Sequence, residues 1–146
     1  MQQIFLGMGA VATKTYVDDI FSTLLYTGDS TQSPQVRNNG IDLAGEGGLV
    51  WAKRRNGGHE HGWYDTVRGI KKRLSCDSAS AEETANNGVQ SFTSTGFTTY
   101  QEDDIGGNGD TYAAWTFRKA PGFFDIVSWT GNASAWNSGS QTLNHN

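Results

Sequence analysis

The sequence predicts a mainly β protein: a jelly-roll-like antiparallel β-sandwich preceded by an extended N-terminal arm with a short helical turn. Three observations lead there. Two apolar runs, Leu49-Val50-Trp51-Ala52 and Tyr112-Ala113-Ala114-Trp115-Thr116-Phe117, are too short for stable helices and each passes into basic residues. Glycine is abundant at 19 against 2 prolines, while 5 Trp, 5 Tyr and 7 Phe supply bulk for a core. Turn signals then recur often enough to separate roughly eight to ten short strands, a sandwich count. At 146 residues the chain is about one domain.

In chain order, the first fourteen residues are small and apolar. They include Ile4, Phe5, Leu6, Met8 and Val11 among Gly7, Gly9, Ala10 and Ala12. Such a stretch cannot offset its own chain entropy, so it reads as an arm that docks on a neighbour, with Tyr16 completing the apolar set. The expected division is an anchoring arm over 1–19 and a sandwich over 20–146. Thr15 and Asp18 match a capping box, predicting a helical turn at 15–20 that runs into a strand at 21–27 and stops at Gly28-Asp29.

Residues 28–33 are polar loop and 34–37 a short edge segment. Asn39-Gly40 is a strong turn dipeptide, since both residues tolerate positive φ. Gly45, Gly47 and Gly48 make a second reversal before the strand at 49–54. After Asn56-Gly57-Gly58, a return strand is expected at 61–67, with Trp63 and Tyr64 on opposite faces. Further strands are expected at 72–75, 89–92, 97–100, 112–117 and 123–129. Ser80-Ala81-Glu82-Glu83 fits a capping box but no apolar face follows, so one frayed turn or a plain loop is expected. The glycine-rich, acidic stretch 101–110 reads as a mobile loop. Gln141-Thr142-Leu143-Asn144-His145-Asn146 looks like the opening of another extended segment, so the polypeptide is expected to continue. Leu49, Trp51, Trp115, Phe117, Phe124 and Ile126 form the expected core. Truncating Trp115 to alanine there should cost ~3–5 kcal/mol through cavity formation.

Charge and composition exclude several classes. A net charge of −4 and a pI near 5.2 argue against a nucleic-acid partner. No run approaches the ~18 apolar residues of a membrane span. The start of the chain lacks the charged opening and long apolar stretch of a secretory signal. The single cysteine, Cys76, cannot form an internal disulfide and has no basic neighbour that would activate it.

Most of the chemically suggestive clusters have structural readings, and none supplies a catalytic residue, a metal site or a cofactor site. His59 and His61 would share a strand face but lack a third ligand. Asp103, Asp104 and Asp110, or Asp18 and Asp19, could offer oxygen to calcium but lack the spacing of a known loop. Glu46, Glu82 and Glu83 show no spacing that would pair them for glycoside hydrolysis. Gly45-Glu46-Gly47-Gly48 lacks the Lys-Ser/Thr of a phosphate loop.

Bases concentrate between residues 53 and 73 and acids between 77 and 110. This predicts either ordinary solvated faces or a complementary contact between subunits. Arg68 is the expected buried arginine, paired bidentately with Asp65 or Asp42. The tryptophans are expected in the core rather than on a sugar-binding platform. Trp136, in a Ser/Gly/Asn-rich stretch, is the one expected to be exposed.

An ordered set of motifs carries a resemblance. It comprises Asn38-Asn39-Gly40-Ile41-Asp42-Leu43, Glu46-Gly47-Gly48-Leu49-Val50-Trp51, Asp65-Thr66-Val67-Arg68-Gly69, Ser91-Phe92, Gly96-Phe97, Ala114-Trp115-Thr116-Phe117-Arg118-Lys119 and Phe123-Phe124-Asp125-Ile126-Val127. Together these resemble a module of virion tail proteins from marine and cyanobacterial bacteriophages, itself similar to concanavalin- or laminin-G-like jelly rolls. The resemblance covers most of residues 20–146. It implies a structural role in the virion tail, with no catalytic residues, for a protein made in the host cytoplasm. It further implies a homotrimeric fibre whose N-terminal region docks on tail adaptor or nozzle proteins and whose distal part meets a host glycan receptor. Ile4, Phe5, Leu6, Met8, Val11 and Tyr16 would then form the docking or oligomer interface. The alternative is a carbohydrate-binding module for host surface glycans.

Overall fold

A computed structural model describes residues 14–29, 33–101 and 104–131. One helical turn, α1 (Val17–Ile20), precedes nine strands: β1 (Phe21–Thr27), β2 (Gln35–Asn38), β3 (Gly48–Arg54), β4 (Gly62–Asp65), β5 (Lys72–Ser75), β6 (Glu83–Thr84), β7 (Val89–Thr93), β8 (Gly96–Thr99) and β9 (Thr111–Arg118). They form two antiparallel sheets, a large one ordered β1-β9-β3-β4-β5-β6 and a small one ordered β2-β8-β7. The fold is the expected mainly β sandwich with a helical turn near its start. Among the described residues, no helix is long and apolar enough to cross a membrane. The arm residues Ile4, Phe5, Leu6, Met8 and Val11 lie outside the described residues, as does Trp136.

The helical turn begins one residue later than the capping box suggests. The backbone N–H of Tyr16 donates to Asp19 Oδ2 at 2.9 Å, and the backbone N–H of Asp19 donates to Tyr16 O at 3.1 Å. Asp19 therefore takes the capping role expected of Asp18, because the helix starts after Tyr16, not Thr15. Tyr16 and Val17 are exposed and Ile20 is buried.

The core is built from small residues of the large sheet facing large residues of both sheets. Ile41, Leu43, Val50, Ala52, Tyr64, Ala85, Val89, Phe97, Ile105 and Ala114 form it, with Tyr26 and Phe92 packed alongside. The Tyr64 ring lies against Gly62 and Gly88, where an added Cβ would approach ring carbons to 2.9 and 2.8 Å. Close packing of this kind explains why Ala52 and Ala114 occupy the middle of central strands and why glycine stands at 62 and 88.

This corrects the expected core. Side chains alternate along a strand. Val50 and Ala52 point inward with Ala114 and Thr116, which sends Leu49, Trp51, Trp115 and Phe117 to the opposite, outer face of the large sheet. Trp51, Trp115, Phe117, Phe124 and Ile126 are only half-buried there, and Leu49 alone of the expected set is buried. Pairing puts the two tryptophan strands side by side in one sheet, and alternation turns Trp51 and Trp115 to its outer face.

Three further segments differ from expectation. Glu83, expected outside any strand, joins Thr84 in the two-residue strand β6 beside β5. Residues 123–129 form no strand: after a turn, only Ala120 and Phe124 make an isolated bridge. The segment crosses the outer sheet face, where its side chains meet the sheet but its backbone has no edge to join. The stretch 101–110 is anchored rather than a mobile loop over 104–107, since Asp104, Ile105, Gly106 and Gly107 are buried, while Asn108 and Gly109 are exposed. Backbone and hydroxyl contacts hold it down. The Tyr26 hydroxyl donates to Ile105 O at 2.8 Å, and the backbone N–H of Gly107 donates to the Tyr112 hydroxyl oxygen at 2.8 Å.

Candidate functional site

The outer face of the large sheet carries the densest group of chemically distinctive side chains. Strand register makes it. Trp51 of β3 sits directly between Trp115 of β9 and Trp63 of β4. Ring centroids lie 4.9 Å apart for Trp51 and Trp115 and 6.2 Å for Trp51 and Trp63, the latter edge-on. Offset and edge-to-face geometries favour such aromatic pairs beyond their area burial. A second group runs from Phe21 to Phe117 at 5.0 Å and on to Phe124 at 5.4 Å.

The β3–β4 connection folds over one side of this row. Lys53 Nζ donates to the carbonyls of Gly57 and His59 at 3.3 and 2.6 Å. The Trp51 indole N–H donates to His61 Nδ1 at 2.9 Å, so His61 carries its ring proton on Nε2 when neutral. The His61 backbone N–H donates to Asp77 Oδ1 at 2.9 Å. That amide is the main reason the Asp77 carboxyl titrates below its ordinary value. His61 is thus occupied by Trp51, and His59 Nδ1 lies 3.2 Å from Asp104 Oδ1. The two imidazoles serve different partners rather than one metal, and no group of three or more ligating side chains occurs among the described residues.

Beside the aromatic row is a largely apolar groove of ≈ 550 Å³. Leu49, Trp63 and Leu74 of the sheet form one wall, the 124–129 segment another, and Asp65 and Arg68 close its polar end. Trp129 on its rim is 63% exposed. The Arg68–Asp65 pair is built as a knot. Arg68 Nε donates to Asp65 Oδ2 at 2.5 Å, and Asp65 Oδ1 accepts the backbone N–H groups of Val67 and Arg68 at 3.0 and 2.8 Å. Arg68 also donates to the Trp63 carbonyl at 3.2 Å, and Asp65 is 3% exposed. Asp42 is not its partner; that carboxylate accepts from the Gly45 amide at 2.8 Å.

The charge asymmetry of the sequence closes on itself. Arg54 pairs with Asp110 at 2.5 Å, Arg73 with Glu83 at 2.6 Å and with Asp104, and Arg68 and Lys72 with Glu82 at 3.5 and 3.9 Å. These contacts use the bases of 53–73 and the acids of 82–110 inside one chain, the course that leaves less for a charged contact between subunits. Asp104 and Asp110 are likewise engaged by arginine instead of standing open to a cation. Cys76 is exposed, and partial desolvation of its sulfur, with Asp77 beside it, pushes its thiol pKa up, opposite to activation.

The register of Trp51 with both other tryptophans was not read from the sequence. The signal was present, since Trp51 and Trp63 flank the 56–58 turn and hairpin pairing places them opposite. Fold and face together define an antiparallel two-sheet sandwich module with an aromatic outer surface. Residues 17–146 match the family described as a domain of unknown function (DUF7483), and the chain belongs to that family. No curated protein and no solved structure matches it.

Proposed function

We propose that this chain is a structural protein of a bacteriophage virion: the attachment region of a tail fibre, docking on the tail adaptor or nozzle and carrying a host-binding distal part. The observation that supports this reading is where several residues of the tail-protein resemblance sit, since they hold the scaffold. Asn39 donates to Thr116 Oγ1 at 2.7 Å and accepts the Ile41 amide at 3.2 Å, tying the crossing between sheets to β9. Ile41 and Leu43 fill the core, Asp65 and Arg68 form the knot, and Gly96 turns β7 into β8. A sequence kept together by turns, ties and packing suits a load-bearing module better than a reaction.

The arm reading is tested in the assembled phage. Phe5→Asp combined with Leu6→Asp should leave the domain folded and remove the protein from purified virions. Normal incorporation of that variant overturns the anchor.

The row Trp115–Trp51–Trp63 and the exposed Trp129 favour a second reading, a carbohydrate-binding module for host surface glycans. Aromatic faces stack on the apolar faces of sugars. Titration of intrinsic tryptophan fluorescence with host lipopolysaccharide fragments separates the two readings: a saturable change that Trp129→Ala abolishes supports glycan binding.

A further inference from the structure

Unpaired strand edges invite pairing with another chain, and proteins usually protect them with short length, charge, proline, bulges or cover. The described sheets have four edges, and three are protected. β6 ends the large sheet after two residues and carries Glu83. β7 has a register shift between Val89 and Ser91, and backbone N–H groups of Lys71, Leu43 and Ala44 donate to its Val89 and Thr93 carbonyls. β2 has four residues, follows Pro34 and carries Arg37. Among the described residues, β1 has none of these devices. It is seven residues long, free of proline and of charge, and in unbroken register with β9. Thr23 and Leu25 are exposed on its outer face, Leu25 at 60%.

We propose that β1 pairs antiparallel with β1 of a second copy of this chain, around Leu24, joining two large sheets into one continuous sheet. Edge pairing needs a second open edge. None of the other three offers one, so the matching edge is β1 itself, and a contact of one patch with its own copy is two-fold. The match is also electrostatically permitted: Phe21-Ser-Thr-Leu-Leu-Tyr-Thr27 sets no like charges against each other. Register around Leu24 lays Thr23 beside Leu25 of the second copy, a favourable cross-strand pair. The inference does not rest on the tail-protein reading, and a threefold fibre would use another face.

Sedimentation of the full chain across a concentration range, with hydrogen exchange at the two extremes, tests it. The wild type should show a reversible dimer of twice the 15.8 kDa chain mass, with β1 amides protected only at high concentration. Thr23→Lys and Leu25→Lys, each on the exposed face, should each weaken the dimer by about tenfold, because every substitution enters the interface twice. Wild-type exchange reads the edge even if a variant fails to fold. A wild-type monomer throughout, an assembly of any size whose β1 amides stay unprotected, or β1 protection independent of concentration overturns the proposal.

Discussion

Asp65 accepts three hydrogen bonds from within a four-residue stretch, and Arg68 answers with a guanidinium held on two sides. Removing the carboxylate strands a mostly buried cation together with two amides. Asp65→Ala should therefore cost ~3–5 kcal/mol in chemical denaturation, while Asp65→Asn, which keeps acceptor capacity, should cost less. This pair was legible in Asp65-Thr66-Val67-Arg68-Gly69, where a turn returns the arginine to its own strand end. Which acceptor it would find, Asp65 or Asp42, was not legible, because both lie next to turns. Tyr26 supplies a second test at this scale. Burial raises its phenol above the ordinary value, with Arg37, whose guanidinium lies 4.3 Å from the ring, pulling it back. A raised pKa contributes stability that is whole below the unfolded value and is lost as pH rises above about 10. Denaturation midpoints should fall through that window, and the fall should be shallower in Tyr26→Phe.

Among the elements, glycines at turns were the most readable features. Gly40 and Gly47 adopt φ of +83° and +79° at the two predicted reversals. Gly96 is more demanding, with φ of +148° and a site where an added Cβ would lie against the Arg37 carbonyl oxygen. Gly96→Ala should destabilise by more than ~1 kcal/mol and loosen β2 as well as the β7–β8 turn, measurable as faster amide exchange in both. The failed strand at 123–129 has the opposite lesson. Its composition is that of a strand, but strand identity needs a free edge, and this segment lies across a sheet face. The acidic stretch 101–110 misled for a related reason: its charges suggested solvent, while Arg73 and Arg54 had already been placed by other strands to meet them.

For the whole molecule, the question is which face of the large sheet became the core. Phe97 is fully buried between the sheets, and Phe97→Ala should cost ~3–5 kcal/mol. Trp115 stands on the half-open outer face, where truncation leaves no closed cavity, so Trp115→Ala should cost only about 1–2 kcal/mol in the same denaturation series. An equal loss in the two variants would contradict this placement. The sequence carried strand period, turn chemistry and fold class, because those are set by φ preferences and by the alternation of neighbours along one chain. It could not choose between the two faces of an alternating strand. That choice depended on volume: Ala52, Ala114 and Gly62 left room for Tyr64 and Phe97 between the sheets, and the tryptophans, too large to share that space, were turned outward into a row that only the pairing of β9, β3 and β4 could assemble.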